Sequence, residues 1–367
     1  MSPEPVSPAR LHAVDVSGDA SVVEGPLHGY HHETYVFPLS GEMEGDRSGR
    51  WKCREPRADL LWFDRRCFDS EEQLLRSLSG RIEGIPDLIE VGGIGLQRFI
   101  EGDTLGCFHR SGTAVPDLFL SQIMHLFGQM IEVLPEDLSA ERRCEAEDRP
   151  EDGDTNGFLE RLVLFTEQRV YQANLDRFAG LFEDLWLGEE SFRYLRKNVS
   201  GLKERPFCLL HADLHRENFI VDAGQRLWTI DWELAMVGDP LYDLATHLHL
   251  MRYPARHARA VARRWRETVQ GVRSDSTNGW EHDLRRLLAY KRAQSVFTDV
   301  IRTALELDTG SEVGRRRIAP AAFKLRRVLA DAAPVLGLDQ PPGTRRIVTA
   351  LMRWCRENGS PSGDTSL

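Results

Sequence analysis

The chain has 367 residues, of which 41% are hydrophobic and 28% charged, and its formal net charge at pH 7 is −10. This length is enough for one large domain or two lobes, and the composition is that of a soluble globular protein. No basic stripe typical of nucleic-acid binding is present, and no apolar run approaches the ~20 residues of a membrane span. The start, 1–10, lacks the apolar core of a signal peptide, so we expect a cytoplasmic protein without nucleic-acid or membrane partners.

Six cysteines are scattered along the chain, and none of them belongs to a C-x-x-C pair. This spacing favours neither a zinc site nor a disulfide framework, so reduced, structural thiols are expected. The cysteines are Cys53, Cys67, Cys107, Cys144, Cys208 and Cys355.

The first hundred residues are predicted to contain a tail and a β-rich region. Residues 1–20 are interpreted as a flexible tail. Strands are predicted at 34–37, 60–63, 85–91 and 95–100. One amphipathic helix, 70–78, interrupts them, with Ser70 as its N-cap and acidic residues in its first turn.

After Gly102 the pattern becomes mostly helical, except for an acidic loop at 144–157 and a strand–loop–strand unit at 207–232. The predicted helices are 117–134, 158–187, 191–199, 241–251, 255–272, 280–307, 316–333 and 345–357.

The strand–loop–strand unit contains H-A-D-L-H-R-E-N at 211–218, followed by an apolar strand that ends in Asp231. Asp213 and Asn218 are five residues apart, and Asp231 lies 13 residues beyond Asn218. Phosphoryl transfer from ATP requires a carboxylate that takes the proton of the acceptor hydroxyl. It also requires an amide oxygen and a second carboxylate that hold Mg²⁺. These three side chains are therefore candidate catalytic residues.

This unit resembles the aminoglycoside phosphotransferase and choline kinase family, which shows H-G-D-L-H-x-x-N and I-D-[FW]-[EG] at the same spacings. The run at 238–245, G-D-P-L-Y-D-L-A, is similar to a third motif of the family. The resemblance implies an α+β, bilobal protein-kinase-like fold. A small β-rich N-lobe would span 21–100, a larger helical C-lobe 101–358 and a flexible tail 359–367.

The resemblance also implies roles for individual residues of the central unit. Asp213 would be the catalytic base, and Asn218 and Asp231 the Mg²⁺ ligands. Three further residues, His211, Asp239 and Asp243, would support the loop through hydrogen bonds.

Two positions of the loop depart from the family pattern. Ala212 replaces the usual glycine, and Arg216–Glu217 replaces a commoner Pro-Gly pair. Neither change removes a catalytic group, but Arg216 is expected to alter the entrance to the site.

The N-lobe would supply the nucleotide clamp. Lys52, on a predicted strand, would bind the α- and β-phosphates of ATP, with GTP left open as an alternative. Its partner carboxylate would be Glu71 rather than Glu72, because Glu71 has the family's offset from the paired leucines of the helix.

Two further nucleotide contacts follow from the resemblance. His32 stands in the phosphate-covering loop, 29–35, where relatives carry asparagine. Backbone groups of Arg98 and Ile100 would meet the adenine edge at the hinge between the lobes.

The acceptor site is expected in the C-terminal helices. Asp299 and Arg302 lie three apart beside Ser295 and would line the acceptor pocket, the alternative being an ordinary surface ion pair. A choline site would need an aromatic cage, to which Trp232, with Trp280 and Tyr290, would contribute.

The charge pattern bears on the substrate. Residues 101–160 contain 14 acidic residues against four basic ones, an excess of ten. Such a field attracts cations, although by itself the segment is better explained as a solvated surface loop. We therefore expect an ATP-dependent kinase for an aminoglycoside-like or other cationic antibiotic, serving resistance or self-protection.

Several alternatives remain open from the sequence. A metabolite kinase for choline, ethanolamine, homoserine or methylthioribose has the same core. An inactive nucleotide-binding regulator is the alternative of another class. Under any of these functions, the chain is expected to be a monomer or a homodimer. H-R-D, D-F-G and A-P-E are absent, which argues against a protein kinase.

Overall fold

The computed structural model describes residues 7–27, 32–39, 49–57, 61, 63–145, 148–307 and 312–358. Its helices are α1 (Pro8–Ser17), α2 (Glu71–Leu78), α3 (Leu105–Phe108), α4 (Asp117–Glu132), α5 (Thr155–Phe165), α6 (Leu175–Asp184), α7 (Glu189–Val199), α8 (Pro240–Met251), α9 (Ala255–Val272), α10 (Trp280–Leu307), α11 (Glu312–Ala332) and α12 (Thr344–Asn358). Its strands are β1 (Glu24–Leu27), β2 (His32–Pro38), β3 (Arg50–Pro56), β4 (Leu88–Val91), β5 (Ile94–Arg98), β6 (Asp103–Thr104), β7 (Cys208–Leu210), β8 (Phe219–Val221), β9 (Leu227–Thr229) and β10 (Met236–Gly238).

The N-lobe is an antiparallel sheet in the order β1-β2-β3-β5-β4. Along β3, Trp51 and Cys53 are buried in a small hydrophobic cluster with α1. Because side chains alternate across a strand, Lys52 and Arg54 lie on the opposite face of the sheet. That face is turned toward the C-lobe, since Arg54 contacts Glu71 and Asp231.

The prediction of a flexible tail over residues 1–20 is wrong for residues 7–20. Helix α1 begins after Ser7, whose side chain accepts from the Arg10 N–H, and ends at Gly18 in the left-handed conformation. Ala9, Ala13 and Val16, spaced four and three apart, form a stripe that packs on the sheet. Residues 1–6 and the predicted tail 359–367 lie outside the described residues.

The C-lobe is mostly helical and contains the larger hydrophobic cluster. Leu74, Leu75 and Leu78 of α2 belong to this cluster and not to the one beneath the N-lobe sheet. Helix α2 therefore packs against the C-lobe core, and this packing determines its position. Among the described residues, no helix is both long enough and apolar enough to cross a membrane.

Two small sheets position the predicted catalytic unit. Strand β8 pairs with β9 and with β6, and β7 pairs with β10. The predicted strand at 60–63 is not observed at Leu61 or Phe63, which lie outside any strand, and residues 60 and 62 are not described. Phe63 is instead a buried member of the C-lobe core.

Candidate active site

The loop at 211–218 is held by the carboxylate of Asp243. Its two oxygens accept the backbone N–H groups of His211, at 3.1 Å, and Ala212, at 2.8 Å. Ala212 has a φ of 64°, a left-handed conformation that costs an alanine energy and costs a glycine little. The glycine usual at this position of the family suits the same turn, and the two bonds to Asp243 hold the alanine in it.

The imidazole of His211 is buried beneath the loop and is neutral. One ring nitrogen, Nε2, lies 3.1 Å from the Ile230 carbonyl oxygen, and Nδ1 accepts from the Asp213 N–H at 3.3 Å. Burial lowers the pKa of His211 to about 4. His211 therefore connects the loop to the end of β9 without adding a charge.

Asp213 projects one carboxylate oxygen into a local network. Oδ2 accepts from Asn218 Nδ2 at 3.1 Å and lies 3.3 Å from His215 Nε2. Among the described residues, Oδ1 accepts no hydrogen bond. The carboxylate is thus oriented through one oxygen, and the other is available to a ligand.

His215 was not singled out from the sequence, although it stands inside the motif. Burial opposes a charge on its ring, but the hydrogen bond and charge of Asp213 outweigh this and raise the pKa of His215. Its Nδ1 accepts from the Glu217 N–H at 3.1 Å, which caps the short 3-10 turn at Arg216–Asn218.

Asp231 follows β9 and has a φ of 65°. The preceding residue, Ile230, donates its N–H to the Asn218 carbonyl at 3.0 Å, so the end of β9 is connected to the loop. Burial, followed by the neighbouring charge of Glu233, raises the pKa of Asp231 above its ordinary value. A nearby cation would reverse that shift, because it favours the ionised carboxylate.

The oxygen atoms of Asn218 and Asp231 are suitable ligands for Mg²⁺. Asn218 Nδ2 donates to both the backbone and the side chain of Asp213, which turns the amide oxygen away from that residue. Among the described residues no donor reaches this oxygen. Together with Asp231 it supplies the hard oxygen ligands that Mg²⁺ prefers.

The predicted pair between Lys52 and Glu71 is wrong in this structure. Glu71 binds the guanidinium of Arg54 and also accepts the Trp232 N–H at 2.7 Å and Gln97 Nε2 at 3.1 Å. Lys52 forms no ion pair or hydrogen bond with any described residue. Lys52 and Arg54 share a face of β3, and the longer, forked guanidinium reaches both Glu71 and Asp231.

The ammonium of Lys52 is buried and lies near the charges of Arg54 and Asp231. Burial, assisted by the positive charge of Arg54, lowers the pKa of Lys52 to about 8. The negative charge of Asp231 opposes this shift. An unpaired, poorly solvated ammonium of this kind is suited to receive an anionic group.

His32 lies beside the carboxylate of Glu233, and this contact is not the nucleotide contact that the sequence predicts for it. Its Nδ1 lies 3.4 Å from Glu233 Oε2, which also binds Arg66. Residues 29–31 of the predicted phosphate-covering loop lie outside the described residues. His32 therefore connects the N-lobe sheet to the turn that follows Asp231.

The predicted hinge lies at the end of β5. The Arg98 N–H donates to the Asp87 carbonyl at 2.8 Å, so this donor is already used. A hinge contact from Arg98 would have to come from its carbonyl oxygen. Ile100 follows β5 and its side chain is buried.

A comparison with known proteins finds a family match for the central part of the chain. Residues 125–275 match the model of the phosphotransferase enzyme family. The predicted resemblance is therefore confirmed. The predicted enzyme class, a phosphotransferase, is confirmed with it.

Two solved structures share the fold of this phosphotransferase. The choline/ethanolamine kinase family protein from Mesorhizobium loti is 15% identical, with a TM-score of 0.51 over 94% of this chain and 98% of that chain. The Plasmodium vivax ethanolamine kinase is 11% identical, with a TM-score of 0.53 over 92% and 83%. The predicted α+β, bilobal protein-kinase-like fold is confirmed by these likenesses.

Asp239 supports the site indirectly, and the prediction that it contacts the loop is wrong. It accepts the Leu241 N–H at the start of α8, the helix that carries Asp243. It also binds the buried Arg205 through two bonds of 2.7 Å, and Arg205 binds Asp283 of α10 at 2.8 Å. This fully buried network positions α8, and only through α8 the loop.

Arg216 does not line the entrance to the site, contrary to the sequence prediction. It is 4% exposed, and its guanidinium donates to the carbonyls of His109, Thr113 and Met251. The arginine joins three segments behind the loop, and its distance from solvent excludes a gating role.

The predicted acceptor residues, Asp299 and Arg302, do not line the same pocket. Asp299 pairs with Lys324 of α11 at 3.5 Å and, with Ser295, lines a cleft of about 450 Å³. Arg302 lies elsewhere, over the Phe63 ring and 3.9 Å from Asp64. The cleft at Asp299 also contains three arginines, so it is not an acidic pocket; they are Arg252, Arg292 and Arg327.

The aromatic cage considered for choline is not assembled either. Trp232 is 1% exposed, and its ring packs 4.6 Å from that of His211, so it belongs to the core and not to a substrate pocket. Trp280 and Tyr290 are ten residues apart on α10, which separates them by about 15 Å along the helix.

A second, smaller pocket borders the loop itself. Ala212 lines it together with Asp64, Tyr242, Tyr290 and Gln294. Gln294 Nε2 donates to Asp64 Oδ1 at 3.1 Å, while its buried Oε1 has no partner among the described residues. Sequence reasoning missed Asp64, because nothing in its local pattern distinguishes it from other polar residues before α2.

Half of the acidic residues at 101–160 are engaged within the fold. Seven of the 14 acidic side chains form ion pairs or accept backbone N–H groups, so they are not free to collect cations. These residues are Glu101, Asp117, Asp137, Asp148, Asp152, Asp154 and Glu160.

Proposed function

We propose that this phosphotransferase is an ATP-dependent kinase that transfers the γ-phosphate to a hydroxyl group of a small molecule. The observation that carries the proposal is the cluster of Asp213, Asn218 and Asp231. Oδ1 of Asp213 and the amide oxygen of Asn218 are both left without donors from the described residues. One set of oxygens would receive the acceptor hydroxyl, and the other would hold Mg²⁺.

Asp213, Asn218 and Asp231 would have different roles in the transfer. Asp213 accepts the proton of the acceptor hydroxyl through Oδ1, while His215 and Asn218 hold Oδ2. Asn218 and Asp231 would hold Mg²⁺, which would neutralise charge on the phosphates. The rate gain would come from positioning and electrostatics, because phosphoryl transfer requires little covalent participation by the protein.

The nucleotide would lie between the two lobes. Lys52 would bind phosphate oxygens, since its ammonium is buried and forms no ion pair with a described residue. The carbonyl oxygen of Arg98 and the N–H of Ile100 would meet the adenine edge. GTP could use the same phosphate contacts. A preference for ATP over GTP would therefore depend only on the hinge contacts of Arg98 and Ile100.

For the acceptor, we propose a hydroxylated molecule that carries amino groups, such as an aminoglycoside-like antibiotic. Support comes from Asp64 and the unpartnered Gln294 Oε1, which lie beside Ala212 around a pocket of about 10 Å³, room for a single polar group of the acceptor and not for the whole molecule. Both groups are hydrogen-bond acceptors suited to ammonium groups. The argument for a cationic acceptor therefore depends on Asp64 and no longer on the acidic segment 101–160.

The alternative of a metabolite kinase keeps the same chemistry with a smaller acceptor. Ethanolamine, homoserine and methylthioribose need no aromatic cage and would fit Asp64 equally. Choline is less well supported, since Trp232 is buried and Trp280 and Tyr290 lie far apart. The alternative of an inactive regulator conflicts with the complete set of catalytic side chains.

Incubation of the pure protein with Mg²⁺-ATP and a panel of acceptors tests the proposal, with product mass as the readout. The panel contains aminoglycosides, other cationic antibiotics, choline, ethanolamine, homoserine and methylthioribose, and GTP replaces ATP in a parallel series. We expect one acceptor class to gain a single phosphoryl group. Nucleotide binding without transfer to any acceptor would favour the regulator.

A further inference from the structure

Two cysteines that are distant in sequence are adjacent in the fold. The segment before α2 pairs with the segment before the acidic loop through an isolated bridge between Phe68 and Arg142. The Arg143 N–H donates to the Cys67 carbonyl at 3.0 Å, and the chain bends at residues 143 and 144. As a result, Cys67 and Cys144 lie on adjacent segments, close enough for each thiol to shift the pKa of the other.

The surroundings of the two thiols differ. Arg149 donates to the Cys144 carbonyl through Nε at 3.1 Å and Nη2 at 2.6 Å, and the charges of Arg65 and Arg142 are also close. The neighbouring Cys67 thiol, with Arg149 and Arg65, lowers the pKa of Cys144 to about 5 against the opposing effect of burial, which favours the thiolate form of Cys144.

Cys67 is the complementary partner. It is 9% exposed, and the neighbouring Cys144 thiol together with burial raises the pKa of the Cys67 thiol well above the ordinary value. A half-buried thiolate beside a protonated thiol is the arrangement in which one cysteine attacks an oxidant and the other resolves the product. This pairing was not predictable from the sequence, where the two cysteines are not part of any spaced motif.

We propose that Cys144 and Cys67 form a thiol modification site that reacts with small disulfides of the glutathione type. The Cys144 thiolate attacks one sulfur of oxidised glutathione, the S–S bond breaks, and one glutathione thiolate leaves. Cys67 then gives up its proton, attacks Cys144 Sγ, and releases the second glutathione. Two protein thiols become one disulfide, and one oxidised glutathione becomes two reduced molecules.

The product would connect two parts of the molecule that carry the cleft. Cys67 lies three residues before Ser70, the N-cap of α2, and Cys144 lies in the C-lobe segment before α5. The disulfide would bind the start of α2, and with it Glu71, to the C-lobe. The inference stands on the thiol pair and does not depend on the proposed function.

Alkylation with iodoacetamide, followed by peptide mass mapping, tests the reactive thiolate. The labelling rate of Cys144 is expected to be nearly constant between pH 6 and 8. Free cysteine, measured alongside, has a pKa of about 8.5, so its rate rises roughly tenfold per pH unit in this range. A Cys144 rate that rises with pH as steeply as that of free cysteine would overturn the proposal.

Oxidation of the full chain by oxidised glutathione at pH 7 tests the pair. We expect a Cys67–Cys144 disulfide in the unmodified chain and in the Cys107→Ser control, which removes an exposed cysteine. Cys67→Ser, or Cys67→Ala if the serine variant folds poorly, should stop at a glutathione adduct on Cys144. Two free thiols in the oxidised chain, or a Cys67 variant without the adduct, would overturn the inference.

Discussion

Glu71 of α2 binds the guanidinium of Arg54 of β3. The sequence predicted that this carboxylate would bind Lys52, two residues earlier on the same strand face. The difference separates the two cations of this strand face: Arg54 connects β3 to α2, and Lys52 forms no ion pair with a described residue.

The first prediction distinguishes these two cations. Arg54→Ala should lower the free energy of unfolding by about 3 kcal/mol, because the carboxylate of Glu71, which is 5% exposed, loses its charged partner. Lys52→Met should change it by less than about 1 kcal/mol, since no described residue loses a partner. Urea denaturation of both nucleotide-free variants measures this. A larger loss in Lys52→Met than in Arg54→Ala would contradict the assignment.

The second prediction concerns the pH dependence of nucleotide binding. The pKa of Lys52 in the free protein is about 8, and a bound phosphate would raise it. Affinity therefore depends on a proton that the free protein loses as pH rises through 8. The dissociation constant should increase by up to about tenfold per pH unit above 8.

Calorimetry at pH 7, 8 and 9 provides the measurement for Lys52. Lys52→Arg is the matched variant, because arginine remains charged throughout this range. Its affinity should be flat with pH. An unmodified protein whose affinity is equally flat would show that the Lys52 ammonium does not contact the nucleotide.

Much of the fold was predictable from local patterns. Helix α2 has a Ser70 cap, acidic residues in its first turn and leucines on one face, and these signals agree with one another. The stripe of Ala9, Ala13 and Val16 carried a similar signal, but small residues in a Pro- and Ser-rich start were interpreted as a tail. Helix α1 acquires its stability from packing on the sheet, which local propensity does not contain.

The clustering of Asp213, Asn218 and Asp231 was likewise predictable, because the three residues lie within 19 positions at a characteristic spacing. Contacts between distant segments were not accessible. Whether Glu71 meets Lys52 or Arg54 depends on the distance from α2 to β3, and no local pattern records it. The same reason explains why Asp64 was missed and why Trp232, now seen in the core, was taken for a substrate residue.

The third prediction concerns the metal. Asp231→Ala should abolish the increase in nucleotide affinity that Mg²⁺ provides, because Mg²⁺ takes few ligands from the protein and loses one of them. Asp222→Asn is the matched control: this carboxylate holds the turn between β8 and β9 through the Gly224 and Arg226 N–H groups. Titration of ATP with and without Mg²⁺ measures the effect. Equal Mg²⁺ dependence in the Asp231 variant and the control would exclude Asp231 as a ligand.

The fourth prediction concerns the acceptor. Asp64→Asn should lower kcat/KM for an amino-bearing acceptor by about 10- to 100-fold, the usual loss for one hydrogen bond to a charged group, and leave the nucleotide KM unchanged. Asp299→Asn removes the carboxylate that the sequence favoured, which is paired with Lys324, and should have little effect on kcat/KM. Steady-state kinetics with the acceptor found in the panel decides between them. A larger loss in Asp299→Asn would assign the acceptor to the wider cleft.

The fifth prediction tests the central claim, that the Asp213 carboxylate performs the transfer chemistry. Asp213→Asn keeps the size of the side chain but cannot take the hydroxyl proton, so it should lower kcat by at least about 100-fold. The nucleotide dissociation constant should change by less than about threefold, since Asp213 is not a predicted nucleotide contact. Single-turnover transfer from radiolabelled ATP to the acceptor, with binding measured on the same preparations, is the most direct measurement. Transfer at a near-normal rate in this variant would contradict the account.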